Sequence, residues 1–142
     1  MNNKGFTLIE LLAVIVILAI IALIATPIIL DLIADAREQA KKRSAELVYT
    51  GVQYAYTSAI YDETNDTEIG NPDGEAIAGK FTVENATIDE DSTSETGFSV
   101  TTSDKVYCTI TVADSDYDVT VSCGKTSGGT DYINAKSVVK AS

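Results

Sequence analysis

The sequence contains no histidine and only two cysteines, Cys108 and Cys123. Histidine-based metal binding and histidine general-base chemistry are therefore excluded, and two cysteines alone cannot complete a four-ligand zinc site. There is no nucleophile motif and no phosphate-cradling glycine loop, so neither an enzyme nor a cofactor is expected. Positive charge is also scarce. Ten Lys and Arg face twenty-one Asp and Glu, a formal net charge of −11. The imbalance is local. Within residues 31–61, Asp31, Asp35, Glu38 and Glu46 are matched by Arg37, Lys41, Lys42 and Arg43. Residues 62–142 hold sixteen acidic residues against five Lys. An acidic head repels phosphate backbones, so direct nucleic-acid binding is not predicted. The same charge keeps a small domain soluble.

What the chain does have is one long apolar run. From Leu11 to Leu30 no residue is charged, and only Thr26 and Pro27 are not apolar. A run of that length rises about 30 Å as a helix, the thickness of a bilayer core. A secretory signal would place small residues at a cut site behind its apolar stretch. Here Lys4-Gly5 stands in front of the stretch instead, so a cut there leaves the anchor on the product. Glu10 sits at the edge of this run, where a carboxylate costs about 2.5–3.5 kcal/mol on insertion scales and is a functional candidate. It lies four positions after Phe6, a spacing at which a new amine on Phe6 could pair with it. A headgroup-facing Glu is the plainer alternative.

Lys4-Gly5-Phe6-Thr7-Leu8-Ile9-Glu10 followed by a long apolar run resembles the signature of type IV pilins and pseudopilins. The resemblance covers roughly the first 30 residues closely and the rest only in architecture. It implies that a prepilin peptidase cuts between Gly5 and Phe6 and methylates the new amine of Phe6. It implies that Glu10 meets the N-terminal amine of a neighbouring subunit during assembly, and it places Pro27 where many members carry a helix-kinking proline. It further implies a homo-oligomeric helical filament, served by an assembly platform with its ATPase. The precursor would lie in the cytoplasmic membrane and the mature subunit in a bacterial cell-surface filament. Counted by Lys and Arg alone, the basic flank at 37–43 favours leaving the head inside the cell. The resemblance overrides that bias, because it places the cut site in the cytoplasm.

The expected fold class is α+β: a long N-terminal helix, membrane-spanning in its first half, packed by its second half on a small antiparallel sheet. The expected segments are a leader at 1–5, a transmembrane or filament-core helix at 6–30, an amphipathic continuation at 31–61 and an acidic β-rich head at 62–142. A helix from Phe6 to Tyr61 would be about 84 Å long, more than a 142-residue globule can bury. Ile33, Ala36, Ala40, Leu47, Val48, Gly51, Val52, Ala55 and Ala59 are predicted to form its head-facing stripe. Pro27 removes one backbone hydrogen bond and is expected to kink the helix rather than end it.

Residues 62–75 read as loop. They lack the EF-hand order of ligands, so the acidic stretch is taken as solvated rather than as a calcium site. Asn65-Asp66-Thr67 and Asn85-Ala86-Thr87 match the glycosylation triplet, as chance allows in a Thr-rich chain. Ile77–Val83, Phe98–Thr102, Val106–Val112, Tyr117–Cys123 and Ile133–Val139 are predicted strands. A hairpin centred between Ser115 and Asp116 sets Val112 opposite Val119, Ile110 opposite Val121 and Cys108 opposite Cys123. A one-residue slip would expose every apolar side chain, which fixes that register. Directly opposed residues approach disulfide range. A Cys108–Cys123 disulfide is therefore predicted, formed outside the cytoplasm, with two reduced core cysteines as the alternative.

The leading function is a structural subunit of a type IV pilus or related filament. A pseudopilin of a type II secretion or competence system is the alternative within the family. A monomeric, membrane-anchored binding module is the alternative outside it, but it has no need of Lys4-Gly5-Phe6 or Glu10.

Overall fold

The computed structural model describes residues 4–62, 67–68, 71–113 and 118–138. The chain divides into two compact units, Met1–Gln39 and Ala40–Ser142. One helix, α1 (Leu8–Ile60), supplies residues to both. In the first unit it is the sole regular element among the described residues, and Pro27 lies inside it without ending it. The missing Pro27 N–H leaves the Leu23 carbonyl without its usual helical donor. One residue earlier, the Thr26 hydroxyl donates to the Ala22 carbonyl at 2.6 Å.

The second unit is α+β, as expected. After α1 come a two-residue antiparallel pair, β1 (Tyr61–Asp62) and β2 (Thr67–Glu68), and a short helix, α2 (Gly74–Lys80). Five strands follow: β3 (Ala86–Ser94), β4 (Gly97–Thr102), β5 (Tyr107–Val112), β6 (Val119–Gly124) and β7 (Ile133–Ser137). Their order in the sheet is their order in the chain, and every neighbouring pair is antiparallel. Such a meander needs only short connections.

The predicted central register is the observed one: Val112 faces Val119, Ile110 faces Val121 and Cys108 faces Cys123. All six side chains are buried. The two cysteines form a disulfide, with Cα atoms 4.1 Å apart. The turn expected at Ser115–Asp116 lies outside the described residues.

Two expectations about the head are corrected. Ile77–Val83 is not a strand, because most of it belongs to α2. The Asp73 carboxylate caps that helix by accepting from the Ala76 N–H at 2.8 Å. Glu75 in the first turn and Lys80 in the last suit the helix dipole. The alternating Ile77, Phe81 and Val83 mimicked a strand, yet Ile77 and Phe81 are buried from one turn of helix and its cap. Conversely, β3 was not predicted. Its residues Asp89, Glu90 and Asp91 are too polar for a buried strand, but β3 is a sheet edge with one neighbour, where charge is tolerated and guards against edge pairing.

The head-facing stripe of α1 also differs from prediction. Buried positions are Ala45, Val48, Tyr49, Val52, Ala55, Tyr56 and Ala59, a three-and-four spacing that keeps one face. Ile33, Ala36, Ala40 and Leu47 are exposed. At 100° per residue, Leu47 lies about 140° round the helix from the centre of the buried face. Two tyrosines take the places assigned to it and its neighbours. Tyr49 satisfies its polar end by donating from its hydroxyl to the Ser137 carbonyl at 2.8 Å. The Lys136 ammonium lies 4.0 Å from the Tyr49 ring centre and pairs with Glu46 at 3.4 Å.

Close approach of the layers depends on glycine at two places. A Cβ on Gly51 would lie 2.2 Å from Val83 Cγ2, so α1 can lean on the segment after α2 only without a side chain there. Gly97, at φ 143°, turns β3 into β4, and a Cβ there would strike the Ile110 carbonyl at 2.0 Å. Beside them Phe81 and Phe98 meet edge to face, 5.9 Å between centres.

The β4–β5 hairpin is fastened to α1 by one carboxylate. Asp104 accepts from the Ser44 hydroxyl at 2.8 Å and from the Thr102 hydroxyl. Burial alone would raise the Asp104 pKa. The hydrogen bonds from Thr102 and Ser44, the loop's own amide and the Lys41 charge outweigh it, so the carboxyl titrates below the ordinary 3.8.

Two predictions follow from this packing. Replacing Cys108 and Cys123 by alanine removes a cross-link spanning 15 positions. In the chain-entropy relation such a loop contributes about 3 kcal/mol, so the head should melt roughly 10–20 °C lower in detergent. A fall under 3 °C would contradict this. Asp104 has a depressed folded pKa, so its contribution is complete above the unfolded value and is lost as pH falls through the folded one. Denaturant unfolding should show Asp104→Asn weaker than wild type by about 1 kcal/mol near pH 6, with the gap closing below about pH 4. A gap that stays constant down to pH 2.5 would disprove the assignment.

Candidate functional site

The region singled out by sequence is residues 4–30. Lys4, Gly5, Phe6 and Thr7 precede α1, have no regular structure and are exposed. Phe6 is 90% exposed, and nothing lies within 4 Å of where a Gly5 Cβ would be. The Gly5–Phe6 peptide bond thus lies in irregular chain, ahead of the first helical hydrogen bond, Leu11 N–H to the Thr7 carbonyl at 3.2 Å.

Glu10 occupies the first turn of α1. Its carboxylate accepts from the Thr7 backbone N–H at 3.3 Å, while the Thr7 hydroxyl accepts from the Glu10 N–H at 3.3 Å. This is a reciprocal capping box. It satisfies two backbone donors that a helix start leaves unpaired, and it sets the carboxylate at the positive end of the helix dipole. Thr7 was not among the expected site residues. Its signal was present in the sequence, since Thr7-Leu8-Ile9-Glu10 has the capping-box spacing ahead of an apolar run.

The helix behind this cap is bare. Every residue from Leu8 to Ile24 is exposed, and the apolar stretch is long and apolar enough to cross a membrane by length and composition. Its side chains are Leu, Ile, Val and Ala, whose exposure to water is unfavourable by about 1.5–3 kcal/mol for each large one. The structure places Gly5, Phe6 and Glu10 together at the head of this helix and Pro27 well along it. The cysteines belong to the other unit, where they are joined. Among the described residues, no group of three or more Cys, Asp or Glu could hold a metal ion.

Comparison with known proteins agrees with this arrangement. Residues 1–26 match the family model of the prokaryotic N-terminal methylation motif. The chain is 38% identical over 79 residues to the type IV narrow pilus major component PilA5 of Thermus thermophilus. That match covers 56% of this chain and 68% of the relative. No solved structure matches the chain. A methylation motif, a bare apolar helix start and a small antiparallel head define a structural subunit of the pilin type. The chain belongs to the type IV pilin family.

The capping box yields its own test. Thr7→Val removes the hydroxyl acceptor, at a typical cost of about 1 kcal/mol to the helix start. The Glu10 amide should then exchange with solvent deuterium about fivefold faster in detergent micelles, with head amides unaffected. Unchanged exchange at Glu10 would show that the cap contributes nothing.

Proposed function

We propose that this chain is a shaft subunit of a type IV pilus, processed between Gly5 and Phe6 and assembled through its N-terminal helix. The observation that carries the proposal is the uncovered apolar face of residues 8–30 behind a methylation motif. Before assembly, lipid covers that surface. After assembly, other copies of the same helix do. The relative's role as a major pilus component supports a shaft position for this chain.

In this scheme residues 1–5 are the leader, 6–30 the filament-core helix, 31–61 its continuation into the head and 62–142 the exposed acidic tile. A prepilin peptidase removes the leader, and an assembly platform with its ATPase lifts the subunit out of the membrane. Cleavage gives Phe6 a charged amine one residue before the Thr7–Glu10 cap. Glu10 then neutralises the amine of a neighbouring copy and sets the axial register between subunits. Pro27 allows the helix to bend or extend at one place within the bundle, because one backbone carbonyl there already lacks its donor.

The test is chemical. Material sheared from producing cells should contain thin filaments whose subunit begins at an N-methylated Phe6, by mass spectrometry. Glu10→Ala should reduce the sheared filament at least tenfold while leaving cleavage at Gly5 intact. A chain recovered with Met1 in place, or Glu10→Ala filaments in wild-type amounts, would refute the processing or the register role respectively.

A further inference from the structure

The main sheet ends on one side at β3, which has β4 as its single strand neighbour among the described residues. Beside that edge runs an open groove of about 690 Å3, lined by β3 and by the segment that follows α2. Its floor is apolar. Phe81 is buried, and Val83, Ala86 and Ile88 pack half-buried against the core. Its polar lining is three threonines and two exposed carboxylates, Glu84 and Glu90. No Lys or Arg lines it.

An apolar floor under two carboxylates selects among occupants. An anion is repelled by Glu84 and Glu90, and a neutral ligand leaves both unused. A Lys or Arg side chain satisfies both parts, because its methylene stem lies on apolar surface while its charged end stays at the wet rim.

The chain carries a dense source of such side chains. Four of its ten basic residues, Arg37, Lys41, Lys42 and Arg43, fall within seven consecutive positions of α1, and the other six stand singly. Arg37, Lys42 and Arg43 are exposed. We infer that the groove beside β3 docks this basic stretch of α1 from a second copy of the chain. Charge complementarity chooses that occupant. Residues 62–142 of another copy carry sixteen acids against five Lys and are repelled by the groove. An anionic lipid surface is repelled in the same way. The inference rests on the pilin proposal, which sets copies side by side. It adds a charged contact between the head of one copy and residues 37–43 of the next, outside the apolar segment.

The test is a charge exchange in the full chain in producing cells. Glu84→Lys combined with Glu90→Lys sets like charges against each other and should lower sheared filament about tenfold or more. The amount of processed subunit starting at Phe6, with its disulfide formed, should stay within about twofold of wild type, since both carboxylates are exposed. Adding Lys42→Glu and Arg43→Glu to that variant should restore filaments to within about threefold of wild type. Glu95→Lys, at the turn after β3 and outside the groove, should leave them unchanged. Wild-type filament levels in the Glu84/Glu90 variant, no restoration by the exchange, or an equal loss in Glu95→Lys would each overturn the inference and leave the pilin proposal standing. Absence of filaments from the unaltered chain would instead sink the pilin proposal. A second measurement does not depend on the charge variants. A benzophenone amino acid at position 87, in the groove, should cross-link on illumination of filaments to residues 37–43 of another copy. Adducts confined to another head or to lipid would overturn the inference.

Discussion

The structure depends on apolar surface that the chain cannot cover by itself. The large apolar side chains of residues 8–30 stand exposed, and at about 2 kcal/mol each their sum far exceeds the stability of any small domain. This surface rules out a free monomer in water. It does not by itself drive assembly, because lipid tails are as apolar as Leu and Ile, and moving a helix from bilayer to bundle gains little hydrophobic free energy. Selectivity must then come from packing shape and from the few polar groups in the region. Thr7 and Glu10 at the helix start are such groups, whereas the Thr26 hydroxyl is already bonded to its own helix. Their capping box gives the carboxylate one backbone N–H donor at the positive end of the helix dipole, at a depth where an uncompensated charge is costly.

The same helix is also the core of the head. Ala45, Val48, Val52 and Ala55 are fully buried, and they cover residues of the sheet that would otherwise face water. Both compact units therefore draw on one helix. Several features fasten the sheet to it. Tyr49 reaches the Ser137 carbonyl and Asp104 ties the β4–β5 hairpin to Ser44, while Gly51 admits the segment after α2. The disulfide joins β5 to β6 at the middle of the sheet order, where a cross-link constrains both flanking pairs. A meander of local contacts requires little loop closure, since each strand pairs with its neighbour in sequence.

How much of this was legible in the sequence depended on whether one physical constraint dominated locally. The register of β5 and β6 was legible because alternation over both strands leaves one solution, and the cysteine pairing came with it. The bare helix was legible because twenty uncharged residues admit few alternatives. The α2 and β3 regions were not, because their signals compete. Ile77, Phe81 and Val83 have strand-like chemistry, but a single N-cap at Asp73 decided for helix. β3 is held by one neighbour and so carries almost no apolar pattern of its own. In the candidate site, Gly5, Phe6 and Glu10 were found through a resemblance, whereas Thr7 required attention to helix-start chemistry. The assignment of Leu47 to the wrong face has a similar cause. Both faces of α1 carry apolar residues, and periodicity alone does not say which one meets the sheet.

That ambiguity reflects a chemical requirement. A helix buried on one face can carry large side chains on the other only if those side chains tolerate water. The head-facing side uses Ala and Val, with tyrosines whose rings pack inward. The outer side relies on Leu47 once and otherwise on Tyr54, Tyr61 and the back-bonded Thr50 and Thr57. A tyrosine offers a large apolar ring and a hydroxyl that water can satisfy, which is why such residues suit surfaces that change between wet and buried states.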